Sequence, residues 1–493
     1  MSKLYVDGRW VGSSGGAERE VINPFDRSVV ATVAEGTAED AAAAIAAARR
    51  AFDDGAWTST SPEHRAAVLN HIADLLERAK EDIARTETLD TGKTLVESRI
   101  DVDDVAAVFR YYGGLAGALH PRVVAGAGPD VISRIDYDPV GVCAMIAPWN
   151  YPLLQVAWKI APALLAGNTF VVKPSEITPL STIKLFELFA EAGVPAGVAN
   201  LVLGTGPEVG SVLVESPDVD LVSFTGSLKV GQYIMRSAAS TLKKVALELG
   251  GKNPNIVFAD ADLDTAVDYA LTAAFFHAGQ VCSSGTRLIV QDSVYDDFVA
   301  EVARRADLVK LGNGLSPDSE SGPLVSAEHR AKVEGYVEIG LAEGARLLAG
   351  GKRPSSPELR EGFFFRPTVF ADCTRDMRLV REETFGPIIT AERFGDREEA
   401  VFLGNDTEYG LAGGVWSQDL EKAQWVARRL RHGTVWINDF GPYLPQAEWG
   451  GFKRSGVGRE LGPTGLHEYC EPKHVYQNLK PTAQNWFARS ADA

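Results

Sequence analysis

The stretch from residue 245 to residue 258 reads VALELGGKNPNIVF, and it marks a division in this chain of 493 residues. Two apolar runs, residues 245–249 and residues 254–258, are each typical of a buried strand. Between them, Gly250 and Gly251 interrupt the apolar pattern, and we place a domain boundary at this pair. One series of strands therefore ends here and another begins.

Short apolar runs alternate with helical stretches on both sides of this boundary, a pattern typical of βαβ units in a parallel sheet. The strands predicted for the first series are residues 141–146, 169–173, 200–203, 221–224 and 245–249. The second series is predicted at residues 254–258, 287–290 and 434–438. We therefore expect an α/β protein with more than one packed unit, because 493 residues exceed what one core accommodates.

Helices are predicted for the part of the chain that precedes the first series. Thr37 and Asp40 form a capping signal for a helix that ends near Phe52. A second amphipathic helix is predicted from about residue 62 to residue 84.

Two further segments, residues 131–138 and 474–478, are predicted to be strands outside both sheets. Open strand edges invite pairing with another chain, which oligomerisation would satisfy. The alternative is that both segments fold back on their own domain, and the sequence favours neither arrangement.

The composition excludes several classes of partner. A net charge of −17 argues against nucleic acid and anionic membranes, which bind clustered lysines and arginines. No run of about 20 apolar residues could span a bilayer, and residues 1–8 lack the apolar core of a signal peptide. The four cysteines are widely scattered, which predicts reduced thiols and neither disulfides nor a metal site. We therefore expect a soluble, cytoplasmic protein.

Two reactive side chains stand out. Cys282 lies in the stretch FFHAGQVCSS, residues 275–284, and Glu248 lies in the apolar strand described first. A thiol with a pKa of about 8.5 is a few per cent thiolate at neutral pH, yet it attacks carbonyl carbon well. A buried carboxylate can then activate water to release the acyl group. The ordinary alternatives are an inert core thiol and a buried ion-pair partner.

Glycine-rich turns indicate a dinucleotide site. The turn GTGPEVG, residues 204–210, has one residue more than the usual fingerprint, so by itself it indicates only tight packing. The stretch FTGS, residues 224–227, precedes a predicted helix and would present N–H groups to a pyrophosphate. Lys173 and Glu176 could hold the adenosine ribose, and a carboxylate there would repel a 2′-phosphate. NAD is therefore favoured, with NADP as the alternative; without the neighbouring motifs, Lys173 and Glu176 would be interpreted as a surface ion pair.

Seven ordered motifs resemble those of the aldehyde dehydrogenase superfamily, and the resemblance spans Asn23 to Lys473. They are PWNYP (148–152), KPSE (173–176), FTGS (224–227), LELGGK (247–252), GQVC (279–282), EETFGP (382–387) and WGGFK (449–453). Within that superfamily the chain is similar to the betaine aldehyde dehydrogenases of Gram-positive bacteria, through WNYPLLQVAW (149–158) and NWF (485–487). One departure is Glu448, where many such enzymes carry proline.

The resemblance implies a role for individual residues. Cys282 matches the nucleophile, Glu248 the general base, and Asn150 forms the oxyanion hole with the Cys282 backbone N–H. The residues implied for coenzyme binding are Trp149, Lys173, Ser175, Glu176, Gly206, Gly210, Phe224, Thr225, Gly226, Ser227, Leu249, Gly250, Glu383 and Phe385. Among these, Glu383 matches the ligand of the nicotinamide ribose and Phe385 the residue against the nicotinamide ring.

The resemblance also implies an architecture. It consists of a Rossmann-type NAD-binding domain (residues 1–120 and 142–249), an α/β catalytic domain (250–448), and a small β oligomerisation arm with a tail (121–141 and 466–493). Such a chain would form a homodimer or a homotetramer.

Four aromatic residues indicate the substrate. Tyr151 and Trp158 stand seven positions apart, as on one face of a helix, and Phe276 precedes Cys282 by six. The resemblance implies Trp449 as a fourth wall, and together the four could form an aromatic box for a trimethylammonium group. We expect oxidation of betaine aldehyde to glycine betaine through a cysteine thiohemiacetal and a thioester. The alternative is that these four aromatic side chains belong to the hydrophobic core.

Other activities remain open at this point. An ω-aminoaldehyde such as 4-aminobutanal would be attracted by Asp101, Asp104 and Glu448, although the two aspartates are expected to be solvated helix charges. A broad-specificity aldehyde dehydrogenase is a further alternative. A cofactor-independent cysteine hydrolase or acyltransferase, or a non-catalytic member of the same fold, would belong to another class.

Overall fold

The computed structural model describes residues 3–484 and 486–487. Its strands are β1 (Leu4–Val6), β2 (Arg9–Val11), β3 (Glu18–Ile22), β4 (Val29–Ala34), β5 (Arg122–Val123), β6 (Val131–Pro139), β7 (Val142–Ile146), β8 (Thr169–Lys173), β9 (Ala199–Leu201), β10 (Leu221–Thr225), β11 (Lys244–Glu248), β12 (Pro254–Val257), β13 (Arg287–Gln291), β14 (Arg346–Ala349), β15 (Thr368–Ala371), β16 (Ile388–Phe394), β17 (Ala412–Trp416), β18 (Thr434–Ile437), β19 (Gly456–Val457) and β20 (Cys470–Asn478). Its α-helices are α1 (Ala38–Asp53), α2 (Pro62–Arg78), α3 (Lys80–Thr91), α4 (Leu95–Gly113), α5 (Pro152–Ala166), α6 (Leu180–Ala192), α7 (Ser211–Glu215), α8 (Leu228–Ala238), α9 (Leu263–Phe275), α10 (Asp292–Ala306), α11 (Ala327–Ala342), α12 (Arg378–Arg381), α13 (Arg397–Asn405), α14 (Leu420–Ala427) and α15 (Gly462–Glu468).

The first sheet has the strand order β19-β11-β10-β7-β8-β9-β1-β2. Its five central strands, β11 to β9 in that order, are parallel, and they confirm the five strands predicted for the first series to within two residues at each end. Strands β7, β8 and β10 are almost entirely buried, as expected when helices cover both faces of a parallel sheet. The carboxyl ends of β10 and β11 lie side by side, because Thr225 pairs with Glu248.

The second sheet has the order β14-β15-β16-β13-β12-β17-β18, and only β14 runs antiparallel to its neighbour. Strands β12, β13 and β18 confirm the three predicted for the second series. The two sheets meet at the boundary glycines. There the Leu249 N–H donates to the Ser455 carbonyl at 2.8 Å, and Ser455 Oγ donates to the Gly250 carbonyl at 2.7 Å.

A third, three-stranded sheet has the order β20-β6-β5. Strand β20 pairs with β6 along nine residues, from Cys470 opposite Pro139 to Asn478 opposite Val131. The two strands predicted to lie outside the main sheets therefore pair with each other, an arrangement that neither alternative had foreseen. The distance between them in sequence hid this pairing.

The first part of the chain can be compared with the two helices that were predicted there. Helix α1 begins with the predicted capping box, in which Thr37 Oγ1 accepts from the Asp40 N–H and the Asp40 side chain accepts from the Thr37 N–H. The single helix predicted over residues 62–84 is wrong, since α2 ends at Arg78 and α3 begins at Lys80. Ala79 between them leaves the helical region with φ −93° and ψ 5°. No helix among the described residues is long and apolar enough to cross a membrane.

Candidate active site

A cavity of about 210 Å³ lies where the two sheets meet. Strand β11 delivers Glu248 to its wall, and the loop before β13 delivers Cys282. The residues that line it are Pro148, Trp149, Asn150, Tyr151, Gln155, Thr225, Gly226, Ser227, Glu248, Leu249, Gly250, Cys282, His329, Lys332, Glu383 and Phe385. The structure thus brings the three residues assigned to catalysis into one cavity with much of the set assigned to the coenzyme.

The turn that carries Cys282, residues 276–282, is here named the cysteine turn. His277 and Ala278 adopt left-handed φ values of 47° and 53°, and Gly279 follows at 73°. A left-handed conformation costs a residue with a Cβ on the order of 1–2 kcal/mol, so the surrounding contacts must hold this turn in place. At Gly279 only glycine fits, because a Cβ there would clash with the Gly386 carbonyl.

Hydrogen bonds from distant segments fix the cysteine turn. Gln280 Oε1 accepts from the Val325 N–H at 2.9 Å, and Gln280 Nε2 donates to the His277 carbonyl at 3.1 Å. Asn150 Nδ2 donates to the Gln280 carbonyl at 2.8 Å. This bond uses one N–H of the Asn150 amide and leaves the second N–H for another acceptor.

The surroundings of Cys282 disfavour its thiolate form. Burial raises its pKa to about 12, and the carboxylates of Glu383 and Glu248 add to the rise. A thiol in this environment needs a nearby proton acceptor before it reacts as a thiolate at neutral pH.

Glu248 has the properties of a base. Its side chain is buried, and Oε2 has no hydrogen-bond partner among the described residues. Burial raises its pKa well above the ordinary value, and Glu460 adds to the rise, while Lys159 and Arg459 oppose it. Lys159 is ion-paired with Glu460 behind the cavity. A Cβ at Gly450 would lie 2.9 Å from Glu248 Oε1, so the glycine leaves space for the carboxyl.

Glu383 and Phe385 face the cavity from the opposite side. The Gly251 N–H donates to Glu383 Oε1 at 2.9 Å, and a Cβ at Gly250 would clash with the Glu383 carboxylate. Phe385 is held at a left-handed φ of 57°, with its ring centroid 5.3 Å from that of Trp149. Both side chains are therefore fixed by the segments on which the resemblance rests.

The glycine-rich turns, residues 204–210 and 224–227, are here named the glycine edge. Strand β10 ends at Thr225, and Ser227 caps α8 by accepting from the Val230 N–H at 3.4 Å, as predicted. Without a side chain, Gly226 clears the Phe224 ring, which would lie 2.5 Å from a Cβ. In the longer turn, Gly206 to Gly210 forms one turn of π-helix, and Thr205 accepts from the Glu208 N–H at 3.3 Å.

Lys173 and Glu176 lie beside the glycine edge. Lys173 Nζ donates to the Pro174 carbonyl at 2.9 Å and to Glu176 Oε2 at 3.3 Å. Lys173 is buried, so the pair is not a surface ion pair. Ser175 and Glu176 line a narrow cleft with Gly204, and a Cβ at Gly210 would lie 3.7 Å from the Lys173 side chain.

The aromatic residues form a different arrangement from the one predicted. Tyr151 precedes α5 as its N-cap with φ −130° and ψ 63°, because Pro152 occupies the first helical position, so Tyr151 and Trp158 do not share a helical face. Trp158 and Trp449 have ring centroids 5.8 Å apart. Tyr443 joins this cluster, 5.1 Å from Trp158 and 6.4 Å from Trp449, and Trp436 lies 6.3 Å from Trp449. None of these four side chains lines the cavity that holds Cys282.

Tyr443 is one residue that sequence reasoning missed, and Gln155, His329 and Lys332, which line the cavity, are others. Tyr443 lies in the irregular segment 438–455, where no periodicity marks which side chains turn inward. Phe276 is partly buried and belongs to none of the ring pairs found among the described residues. Tyr151 pairs instead with His277, at 5.6 Å between ring centroids.

The acidic residues proposed for an amine-bearing substrate behave differently from one another. Asp101 is buried and ion-paired with Lys93, so the expectation of a solvated helix charge was wrong for this residue. Burial raises the pKa of Asp104 to about 6. Glu448 Oε1 accepts from the Thr464 hydroxyl at 2.9 Å, outside the cavity.

The fold and the site define a class of α/β protein in which two sheets enclose a thiol and a buried carboxylate beside a glycine-rich edge. The chain belongs to the aldehyde dehydrogenase family, whose model matches residues 10–475. It is 60% identical to the betaine aldehyde dehydrogenase of Bacillus subtilis, over 98% of this chain and 99% of that one. It is 43% identical to an aldehyde dehydrogenase of Aspergillus niger, over 97% and 95% of the two chains.

Solved structures agree with this assignment. The crystal structure of betaine aldehyde dehydrogenase from Staphylococcus aureus in complex with NAD⁺ matches with a TM-score of 0.98 and 52% identity, over 99% of this chain and 97% of that chain. The predicted fold class, that of the aldehyde dehydrogenases, is confirmed.

Proposed function

We propose that this chain is an NAD-dependent aldehyde dehydrogenase that oxidises betaine aldehyde to glycine betaine. The observation that carries the proposal is the single cavity that Cys282, Glu248 and Asn150 share with Glu383 and residues 225–227 of the glycine edge. Support for the substrate comes from the Bacillus subtilis and Staphylococcus aureus relatives, both named betaine aldehyde dehydrogenases.

The residues of the cavity suit NAD. Main-chain N–H groups at the start of α8, together with Gly226, would receive the pyrophosphate. Lys173 and Glu176 would hold the adenosine ribose, Glu383 the nicotinamide ribose, and Phe385 would lie against the nicotinamide ring. Because Gly250 has no side chain, the Glu383 carboxylate stays open to the cavity. The Staphylococcus aureus relative was crystallised with NAD⁺, in line with this assignment.

The reaction begins at Cys282. Its sulfur bonds to the aldehyde carbon as the thiol gives its proton to solvent water in the cavity, and the carbonyl oxygen becomes an oxyanion. The free N–H of Asn150 and the Cys282 backbone N–H would hold that oxyanion, and losing one such donor typically costs about 3 kcal/mol. A bound NAD would supply the oxidant, and loss of a hydride to it from the carbon on Cys282 would leave a thioester on that residue.

Glu248 completes the cycle. It takes a proton from water as the water oxygen attacks the thioester carbon, and the carbon–sulfur bond then breaks to release the acid and restore Cys282. The raised pKa of Glu248 makes it a stronger base than an ordinary glutamate once it is ionised. Hydrolysis is therefore favoured over transfer to coenzyme A.

The cluster of Trp158, Tyr443 and Trp449 would receive the trimethylammonium group from beyond the lining of the cavity, in which none of the three takes part. A cation against aromatic faces gains about 0.5–2 kcal/mol per good contact. An ω-aminoaldehyde remains the alternative through Asp104, since Asp101 and Glu448 are engaged by Lys93 and Thr464.

Three finer assignments belong to the same proposal. We propose a homo-oligomer whose contacts use the β20-β6-β5 sheet, because the outer face of β20 is largely exposed. We retain the domain bounds given above for the NAD-binding, catalytic and arm regions, although residues 1–2, 485 and 488–493 lie outside the described residues. We also propose a cytoplasmic location, because all four cysteines are free thiols, as is usual in a reducing compartment.

The test follows absorbance of NADH on mixing the protein, NAD and betaine aldehyde. We expect NADH to form, whereas a cofactor-independent cysteine hydrolase would form none. The kcat/KM values for betaine aldehyde, 4-aminobutanal and an uncharged aliphatic aldehyde are then compared. Equal values for all three would refute the cation-binding role of the aromatic cluster.

A further inference from the structure

A third hydrogen bond from a remote segment holds the cysteine turn. It comes from α4, which is far from the turn in sequence. The His277 N–H donates to Glu97 Oε1 at 2.7 Å, across 180 positions of the chain. Glu97 lies in the first turn of α4 and is buried. The bond between Glu97 and His277 joins helix α4 directly to the backbone of the cysteine turn.

All the partners of the Glu97 carboxylate are hydrogen-bond donors. Oε2 accepts from the Thr94 N–H at 2.7 Å and from the Thr94 hydroxyl at 2.9 Å, which completes the capping box of α4. Oε1 accepts from His277. An amide in this place would turn one of its own N–H groups toward a donor, so glutamine does not replace glutamate here.

The bond falls on the first residue of the left-handed run. His277, Ala278 and Gly279 are left-handed in succession, and Cys282 follows three residues later. Because His277 and Ala278 carry side chains, this run relaxes toward ordinary conformations unless its backbone is held. Relaxation of the run would move Gln280 and Cys282 relative to Asn150.

We propose that Glu97 is a positioning residue for Cys282, which fixes the cysteine turn by accepting the His277 N–H. This inference rests on the proposed function, because it takes Cys282 as the nucleophile. Glu97 does not line the cavity that would hold substrate and coenzyme. It acts only through the backbone of the turn.

A neighbouring contact shows that the same helical region also supports the wall of the cavity. Lys93 is buried between Glu87 and Asp101, and its ammonium lies 3.8 Å from the centroid of the Tyr151 ring. Tyr151 in turn packs against His277. Glu97 and Lys93 therefore hold two adjacent parts of the site from one buried cluster.

The experiment compares Glu97→Gln with Thr94→Val. Thr94→Val removes the hydroxyl that caps α4 and leaves the bond between Glu97 and His277. We expect Glu97→Gln to lower kcat by about 10–100-fold with KM within about twofold, since a small misplacement of a reacting group costs up to about 100-fold. Thr94→Val is expected to lower the melting temperature at least as much, with kcat within about threefold.

A second arm measures the thiol itself. Alkylation of Cys282 by iodoacetamide needs neither coenzyme nor aldehyde, so it reports on positioning even if the chain oxidised no aldehyde. We expect its rate to change at least about threefold in Glu97→Gln and to stay unchanged in Thr94→Val. Adding His277→Gly to Glu97→Gln should recover about tenfold in kcat, because glycine adopts the left-handed conformation freely.

Several results would overturn the proposal. They are a kcat of Glu97→Gln within twofold of the parent, an equal loss in Thr94→Val, or no recovery with His277→Gly. If Glu97→Gln does not fold, hydrogen exchange of the unmodified protein decides. Strong protection of the His277 amide supports the bond to Glu97, and exchange at the rate of an exposed loop contradicts it.

Discussion

The glycine edge and the cysteine turn are held by different means. In the glycine edge, strand β10, the turn and the cap of α8 are contiguous in sequence, and main-chain geometry fixes them. In the cysteine turn, three remote segments hold a strained backbone: the side chains of Glu97 and Asn150 bond to it, and the Val325 N–H bonds to the Gln280 side chain. Coenzyme binding should therefore survive changes that abolish chemistry.

The largest expected effect is a loss of turnover without a loss of coenzyme binding. Cys282→Ala removes the nucleophile, so we expect turnover to fall by at least about 10⁴-fold. The affinity for NAD, measured by calorimetry, should stay within about twofold, because the glycine edge is untouched. Cys373→Ala, at a buried thiol in a separate cluster, is the control and should keep its activity. A parallel loss of NAD affinity would show that the two regions are not independent.

The second prediction separates the formation of the thioester on Cys282 from its hydrolysis. Glu248→Gln should lower kcat by about 10²–10⁴-fold while one equivalent of NADH per site still forms in a rapid burst, because only thioester hydrolysis needs the base. Loss of the burst as well would place Glu248 in the first half-reaction.

The parent enzyme also has a pH dependence that follows from Glu248. The base works only when ionised, and burial raises its pKa. As pH falls, kcat should therefore decline already above pH ~4.3, the ordinary glutamate value. In Glu248→Gln this decline of kcat at low pH should be absent.

The third prediction addresses the coenzyme side alone. Glu176→Gln removes the carboxylate that would face a 2′-phosphate, so we expect kcat/KM for NADP to rise about tenfold, which corresponds to about 1.4 kcal/mol. The alkylation rate of Cys282 should not change. Glu208→Gln, at an exposed acid of the longer glycine turn, is the matched control. An unchanged preference for NAD would remove Glu176 from coenzyme selection.

The smallest effect concerns substrate binding. Tyr443→Leu removes one ring of the aromatic cluster and should raise KM for betaine aldehyde about threefold to tenfold. KM for an uncharged aldehyde should change much less. Tyr443→Phe keeps the ring and serves as the control. If leucine and phenylalanine behaved alike, the ring would not bind the cation.

The sequence was sufficient wherever the determining pattern is local. Strand β8 was predicted residue for residue, because alternation of strand and helix is visible in a short window. The assignment of Cys282, Glu248 and the glycine edge to one site needed more than neighbouring residues, because it came from the resemblance that seven motifs carry along the chain.

The remaining features depend on contacts between distant segments. Tyr443 reaches Trp158 from an irregular loop, and Glu97 reaches His277 from another helix. The misplacement of Tyr151 has a local cause, since Pro152 starts α5 one residue later than the spacing suggested. The break at Ala79 has no proline or glycine to announce it.

The pairing of β6 with β20 has a consequence for synthesis on the ribosome. Roughly 330 residues separate the two strands, and translation at about 5–20 residues per second needs some 20–60 s to supply them. During that interval β6 has already left the ribosome, whereas β20, the strand that pairs with it over nine residues, has not yet been made. A nascent chain of this protein therefore offers chaperones one exposed strand until its last segment is made.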